Sequence, residues 1–179
     1  SQAKNRWGIM TLDGLGLLQD YAEGARLICE AADEGEASAL FNCASLYADG
    51  RGVKQDAKKA VTLYQEAAKK KHIGAINVLG QMYAEGRDVK KDEKQAAKYF
   101  QQTAAMGNPV GLYSLGQAYA LGLGLDKDLV QAHVYFNLAA TQEHPDALEA
   151  RKLVEAKMSD DDILEAQRQA RAWRPDPAS

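Results

Sequence analysis

Long apolar runs are missing from this chain. No stretch of its 179 residues approaches the roughly 18 apolar residues that a membrane-spanning helix needs. A basic-apolar leader and a lipidation cysteine are missing too. Cysteine is scarce: Cys29 and Cys43 cannot make a dense disulfide framework. Histidine is scarce: His72, His133 and His144 share no short motif, and no HExxH, CxxC, GxSxG or P-loop pattern occurs. Positive charge is not in excess. The net charge is −3 and the pI about 5.6, which argues against a general nucleic-acid binder.

What is present is a repeat. "YADGRGVKQD" begins at Tyr47, "YAEGRDVKKD" at Tyr83 and "YALGLGLDKD" at Tyr119, 36 residues apart each time. The same step aligns Leu40, Ile76 and Leu112, then Cys43, Leu79 and Leu115, then the small column Ala44, Gly80 and Gly116. Gly50, Gly86 and Gly122 follow, and after them Asp56, Asp92 and Asp128. A repeat of this length decides the architecture before local propensity does.

Within one unit the spacing is helical. Leu40, Cys43 and Tyr47 fall three and four apart, one stripe of a helix A; Ala60, Leu63, Tyr64, Ala67 and Ala68 form the stripe of a helix B. Each aspartate stands where a carboxylate accepts from the free N–H groups of helix B's first turn. Each glycine stands where helix A ends in a left-handed residue. Gly35 and Gly107 end B helices in the same way, and Lys71 replaces that glycine, a weak point. Gly80 and Gly116 leave room for helix B of the same unit, and the tyrosine column packs beside the crossing. The first unit has Thr11 where the aromatic belongs, so an incomplete helix A is expected there. One hairpin cannot bury its apolar face, whereas stacked hairpins can. The expected fold is all-α, a right-handed α/α solenoid of stacked hairpins. The expected division is a degenerate repeat at 1–35, repeats at 36–71, 72–107 and 108–143, then 144–174 as a terminal A helix and capping helix, and 175–179 as a frayed tail. Ile163, Leu164, Ala170 and Trp173 are expected to cover the last hairpin, with Arg168, Arg171 and Arg174 on the other side.

"AINVLGQMYAEGRDVKKDEKQAAKYFQQTAAMG" and "GLYSLGQAYALGLGLDKDLVQAHVYFNLAATQEH" closely resemble Sel1-like repeats, relatives of the 34-residue tetratricopeptide repeat, and the resemblance extends over about residues 8–157. It implies a bacterial, TPR-like scaffold that binds another protein through a concave groove. The partner would be a secreted effector or an envelope or signalling component, and the role that of an adaptor or of an inhibitor, an immunity protein against a secreted toxin. No cofactor, nucleic acid or membrane contact is implied. The compartment stays open between the periplasm or envelope and the cytoplasm, with a leader removed from this chain.

By the tetratricopeptide analogy the concave stripe comprises Ser38, Phe41, Ser45, Asn77, Gln81, Tyr113 and Gln117, with Asp49 and Glu85 at its rim. Phe41 and Tyr113 suit a partner anchor on an otherwise polar face; packing against neighbouring repeats is the alternative. The amides suit an extended peptide backbone. Residues 51–98 hold 12 Lys/Arg against 6 Asp/Glu, a local +6, which fits an acidic protein surface or anionic lipid, or simply a solvated helix B face and loop.

Two other functions have weaker support. A cell-wall or β-lactam hydrolase has family precedent only; Ser1-Gln2-Ala3-Lys4 matches a serine-x-x-lysine pattern without its companion motifs. A self-associating solenoid would use the ragged first unit. Cys29 and Cys43 fall on helices of successive repeats. Because Cys43 occupies a leucine column, a buried free thiol is the expectation and a disulfide the alternative.

Overall fold

The computed structural model describes residues 1–16 and 18–176, and these form ten α-helices and no strand. They run as α1 (Gln2–Asp13), α2 (Tyr21–Asp33), α3 (Ala37–Asp49), α4 (Ala57–Lys69), α5 (Ile73–Glu85), α6 (Glu93–Ala105), α7 (Pro109–Leu121), α8 (Leu129–Thr141), α9 (Ala147–Glu155) and α10 (Asp160–Ala172). Odd-numbered helices up to α7 are the A helices and even-numbered ones up to α8 the B helices. The architecture is an all-α solenoid of stacked helical hairpins.

The turn chemistry explains why α2 to α8 are each 13 residues long. Asp20, Asp56, Asp92 and Asp128 each accept from the backbone N–H three residues on, at 2.9–3.0 Å. Gly14, Gly50 and Gly122 end their A helices with φ near +70°. Three side-chain-bearing residues are forced into that same region: Lys71 (φ 58°) and Glu143 (φ 61°) where Gly35 and Gly107 sit in other repeats, and Asp88 (φ 61°) where Gly52 and Gly124 sit. Helix α1 is complete at 12 residues, so the expectation of a truncated first A helix is corrected. Thr11 sits within it, donating to the Trp7 carbonyl at 2.9 Å.

Two compact units divide the chain, Ser1–Leu79 and Gly80–Ser179. In the first, α1 packs on α2, α2 on α3 and α3 on α4. Leu12, Ile28, Leu40, Cys43 and Ala67 are buried there. Cys29 and Cys43 are joined as a disulfide, Cα to Cα 5.1 Å, and this corrects the free-thiol expectation. Helices α2 and α3 pack on each other, which brings two residues 14 apart in sequence face to face.

In the second unit the core is Phe100, Leu112, Leu115, Val134, Leu138 and the alanines around them. The small column does what its spacing requires. A Cβ added at Gly80 would stand 2.5 Å from the Phe100 ring, and one at Gly116 would stand 2.7 Å from the Phe136 ring. The tyrosine column is half-buried rather than buried: Tyr83 stacks on Tyr99 and Tyr119 on Tyr135, with centroids 5.8 and 5.7 Å apart. In the first unit Tyr47 instead carries the Lys59 ammonium 4.2 Å from its ring centroid.

The carboxyl end departs from expectation in two places. Ala166 and Ala170 bury α10 against the core with Trp173 beside them, but Leu164 is 62% exposed and covers nothing. It stands two positions from Ala166, too far round the helix to share its buried face. The residues after α10 are not wholly frayed: the Asp176 N–H donates to the Ala105 carbonyl at 2.7 Å. The rest of the expected tail, 177–179, lies outside the described residues.

Candidate protein-binding groove

The stripe read from sequence runs along α3, α5 and α7. In the first unit Ser38 is exposed, and Phe41, Ser45 and Asn77 are half-buried; Asp49, at the rim, is exposed. Ser45 donates to the Phe41 carbonyl at 3.1 Å and shares a hydrogen bond with the Tyr64 hydroxyl at 3.0 Å. In the second unit Gln81, Glu85 and Gln117 are exposed and Tyr113 is half-buried.

Phe41 and Tyr113 are each covered by a histidine that the stripe did not include. Phe41 stacks on His72, with centroids 4.7 Å apart, and Tyr113 on His144, 4.2 Å apart with the planes 13° from parallel. His72 stands at the turn leading into α5 and His144 at the turn leading into α9. His72 Nδ1 accepts from the Ala75 N–H at 3.2 Å, and His144 Nδ1 from the Asp146 N–H at 3.4 Å. The first repeat builds the same couple in polar form, Asn5 donating to Glu36 at 2.9 Å. Each couple spans 31 residues. The signal was in the sequence, since His72 and His144 are two repeat lengths apart, as are Phe41 and Tyr113.

Burial shifts two of these groups. It holds the His72 imidazole below its ordinary value of 6.5, against an opposing pull from Glu36. It pushes the Tyr113 phenol above 10, and the Asp146 carboxylate adds to that shift.

The second unit gathers several stripe residues around one cavity. Gln81, Glu85, Tyr113 and Gln117 line a partly enclosed groove of about 450 Å³ together with His144 and Asp146. Val110 and Leu123 supply its apolar shoulders, 36% and 37% exposed. The Gln117 amide donates to the Tyr113 hydroxyl at 3.2 Å, which fixes the phenol at the groove surface. A cavity of this size, apolar in part with a few directed polar groups, suits a side chain and its flanking peptide rather than a broad flat contact. The first unit has a smaller cavity of about 210 Å³ that touches the stripe only at Ser45.

The groups considered for chemistry are otherwise engaged. Lys4 pairs with Glu34 at 2.6 Å, and the Ser1 amino group with the same carboxylate at 3.0 Å. His133 is buried on α8 with Nε2 2.8 Å from Glu155. Among the described residues no group of three or more His, Cys, Asp or Glu is placed to hold a metal.

Several comparisons with known proteins agree on the fold. Solved structures similar to the chain include a Sel1 repeat protein from Oxalobacter formigenes, 27% identical with a TM-score of 0.81, covering 96% of this chain and 72% of that one. A protective antigen of uropathogenic Escherichia coli is 26% identical with a TM-score of 0.65; the match covers 96% of this chain but 44% of the antigen. Cysteine rich protein B of Helicobacter pylori is 23% identical with a TM-score of 0.58, covering 73% of this chain and 94% of that one. No curated protein matches the chain. The Sel1 repeat model matches four times in succession, over residues 1–36, 37–72, 74–108 and 109–144. These matches fall on the hairpins α1–α2, α3–α4, α5–α6 and α7–α8, and the chain belongs to the Sel1 repeat family.

Proposed function

We propose that this protein holds one protein partner by seating an extended segment of it in the groove of the second unit. Its solenoid is a protein–protein interaction scaffold, and the mechanism is binding and positioning without bond chemistry. One observation carries the reading: four residues singled out for the exposed A-helix stripe, Gln81, Glu85, Tyr113 and Gln117, line a single cavity. Gln81 and Gln117 occupy the same position in successive repeats, so their amides present a periodic set of donors and acceptors to a peptide backbone. The test is photocrosslinking from position 117 in the native cell. A single protein captured there, and released by Tyr113→Ala, is the expected result; capture unchanged by that substitution contradicts the groove.

Within this reading the protein is an adaptor or the inhibitor of a secreted toxin. An inhibitor abolishes the captured partner's activity at one-to-one stoichiometry, whereas an adaptor leaves it intact. The Cys29–Cys43 bridge supports a periplasmic or envelope setting, because such bonds persist in oxidising compartments.

A further inference from the structure

The groove of the second unit is acidic. Three carboxylates line it, Glu85, Glu93 and Asp146, against one ammonium, Lys91, a formal charge of −2. Lys91 is committed to Glu93, Nζ to Oε1 2.7 Å. That leaves Glu85 and Asp146. Glu85 has only a loose, exposed pairing with Arg87 at 3.6 Å. Asp146 stands at the start of α9 and makes no side-chain cap bond.

An aromatic wall lies in the same cavity. Tyr113 is half-exposed, held by Gln117 and backed by His144, so the platform is preformed. Val110 and Leu123 offer apolar surface beside it. An anion would meet net repulsion here. A purely apolar side chain would strip water from two carboxylates and give nothing back. An arginine satisfies every part of the lining. Its methylene stem covers the apolar shoulders, its planar guanidinium stacks on a tyrosine, and its N–H fork donates to carboxylates. A lysine matches the charge but lacks the plane and the fork.

We infer that the groove takes an arginine side chain of the partner, with Tyr113 as its platform and Glu85 and Asp146 as its counter-charges. This rests on the groove being the partner site, and the experiment separates the two. Random twelve-residue peptides are selected on the wild-type chain. Each is then titrated by fluorescence anisotropy against wild type, against Tyr113→Leu/Gln117→Ala and against Glu85→Gln/Asp146→Asn. Glu85 and Asp146 are exposed, so the second double variant keeps its fold, which circular dichroism checks. The expected peptides share an arginine, lose about tenfold in affinity or more with either double variant, and lose as much when citrulline replaces the arginine. Peptides that need Tyr113 and Gln117 but lack arginine, or tolerate citrulline, overturn the arginine inference and leave the groove standing. Peptides indifferent to Tyr113→Leu/Gln117→Ala, or no selected peptides at all, overturn both.

Discussion

At the scale of single residues, the His72 couple links solvent pH to a helix start. Its Nδ1 must be unprotonated to accept from Ala75, and burial already disfavours the imidazolium. The folded-state value therefore lies below the unfolded one of 6.5. Stability from this group is fully present above pH 6.5 and is lost as pH falls toward the lower, folded value. His72→Asn is expected to flatten the slope of stability against pH just below 6.5, measured by urea titration against wild type. Asparagine keeps a cap at that turn, as Asn108 does by accepting from Gly111 at 3.1 Å. An unchanged slope would show that His72 does not titrate with folding. Lys71 gives a second residue-scale expectation. Its positive φ strains a residue with a Cβ, so Lys71→Gly should raise stability by roughly 0.5–1 kcal/mol in thermal melts.

At the scale of helices, α7 and α8 approach closely at Gly116, where an added Cβ would stand 2.7 Å from the Phe136 ring. Phe136 is 2% exposed there and has nowhere to retreat. Gly116→Ala is therefore expected to destabilise by about 1–3 kcal/mol despite the better helix propensity of alanine; a gain in melting temperature would refute the packing. This part of the structure was legible in sequence. A 36-residue register places glycine opposite phenylalanine in successive repeats, and helix periodicity leaves little choice about which faces meet. The histidine couples showed in sequence only as a shared register of 72 residues, because a residue at a turn reads as a cap and gives no hint of the ring it covers. The half-exposure of the tyrosine column was also hidden. Periodicity marks a shared face, but not how far a neighbouring tyrosine such as Tyr99 or Tyr135 shields it from water. Of the stripe, the second-unit residues gathered at the groove, while Phe41 and Ser45 are occupied by His72 and Tyr64 in the first.

At the scale of the whole molecule, the two units carry different reinforcement. The first has the Cys29–Cys43 bridge, closing a short loop between successive hairpins. Cys29→Ala with Cys43→Ala is expected to lower stability by roughly 3 kcal/mol on the chain-entropy account of a loop this short. Hydrogen exchange should rise in residues 1–79 far more than in residues 80–176; a uniform rise would mean the two units unfold together. Cys43 hid the bridge in sequence, since a half-cystine in a leucine column looks like any small buried side chain.

The couples Asn5–Glu36, Phe41–His72 and Tyr113–His144 also set the phase in which this architecture can be copied. A duplicated or deleted segment that runs from 37 to 72 carries both members of its couple, and so does one from 109 to 144. A cut one residue earlier would strand each aromatic ring without its imidazole. Gene rearrangements that lengthen or shorten the array, in nature or by grafting, should therefore survive when they break the chain just after residue 36, 72 or 144, and fail more often when they break it just before.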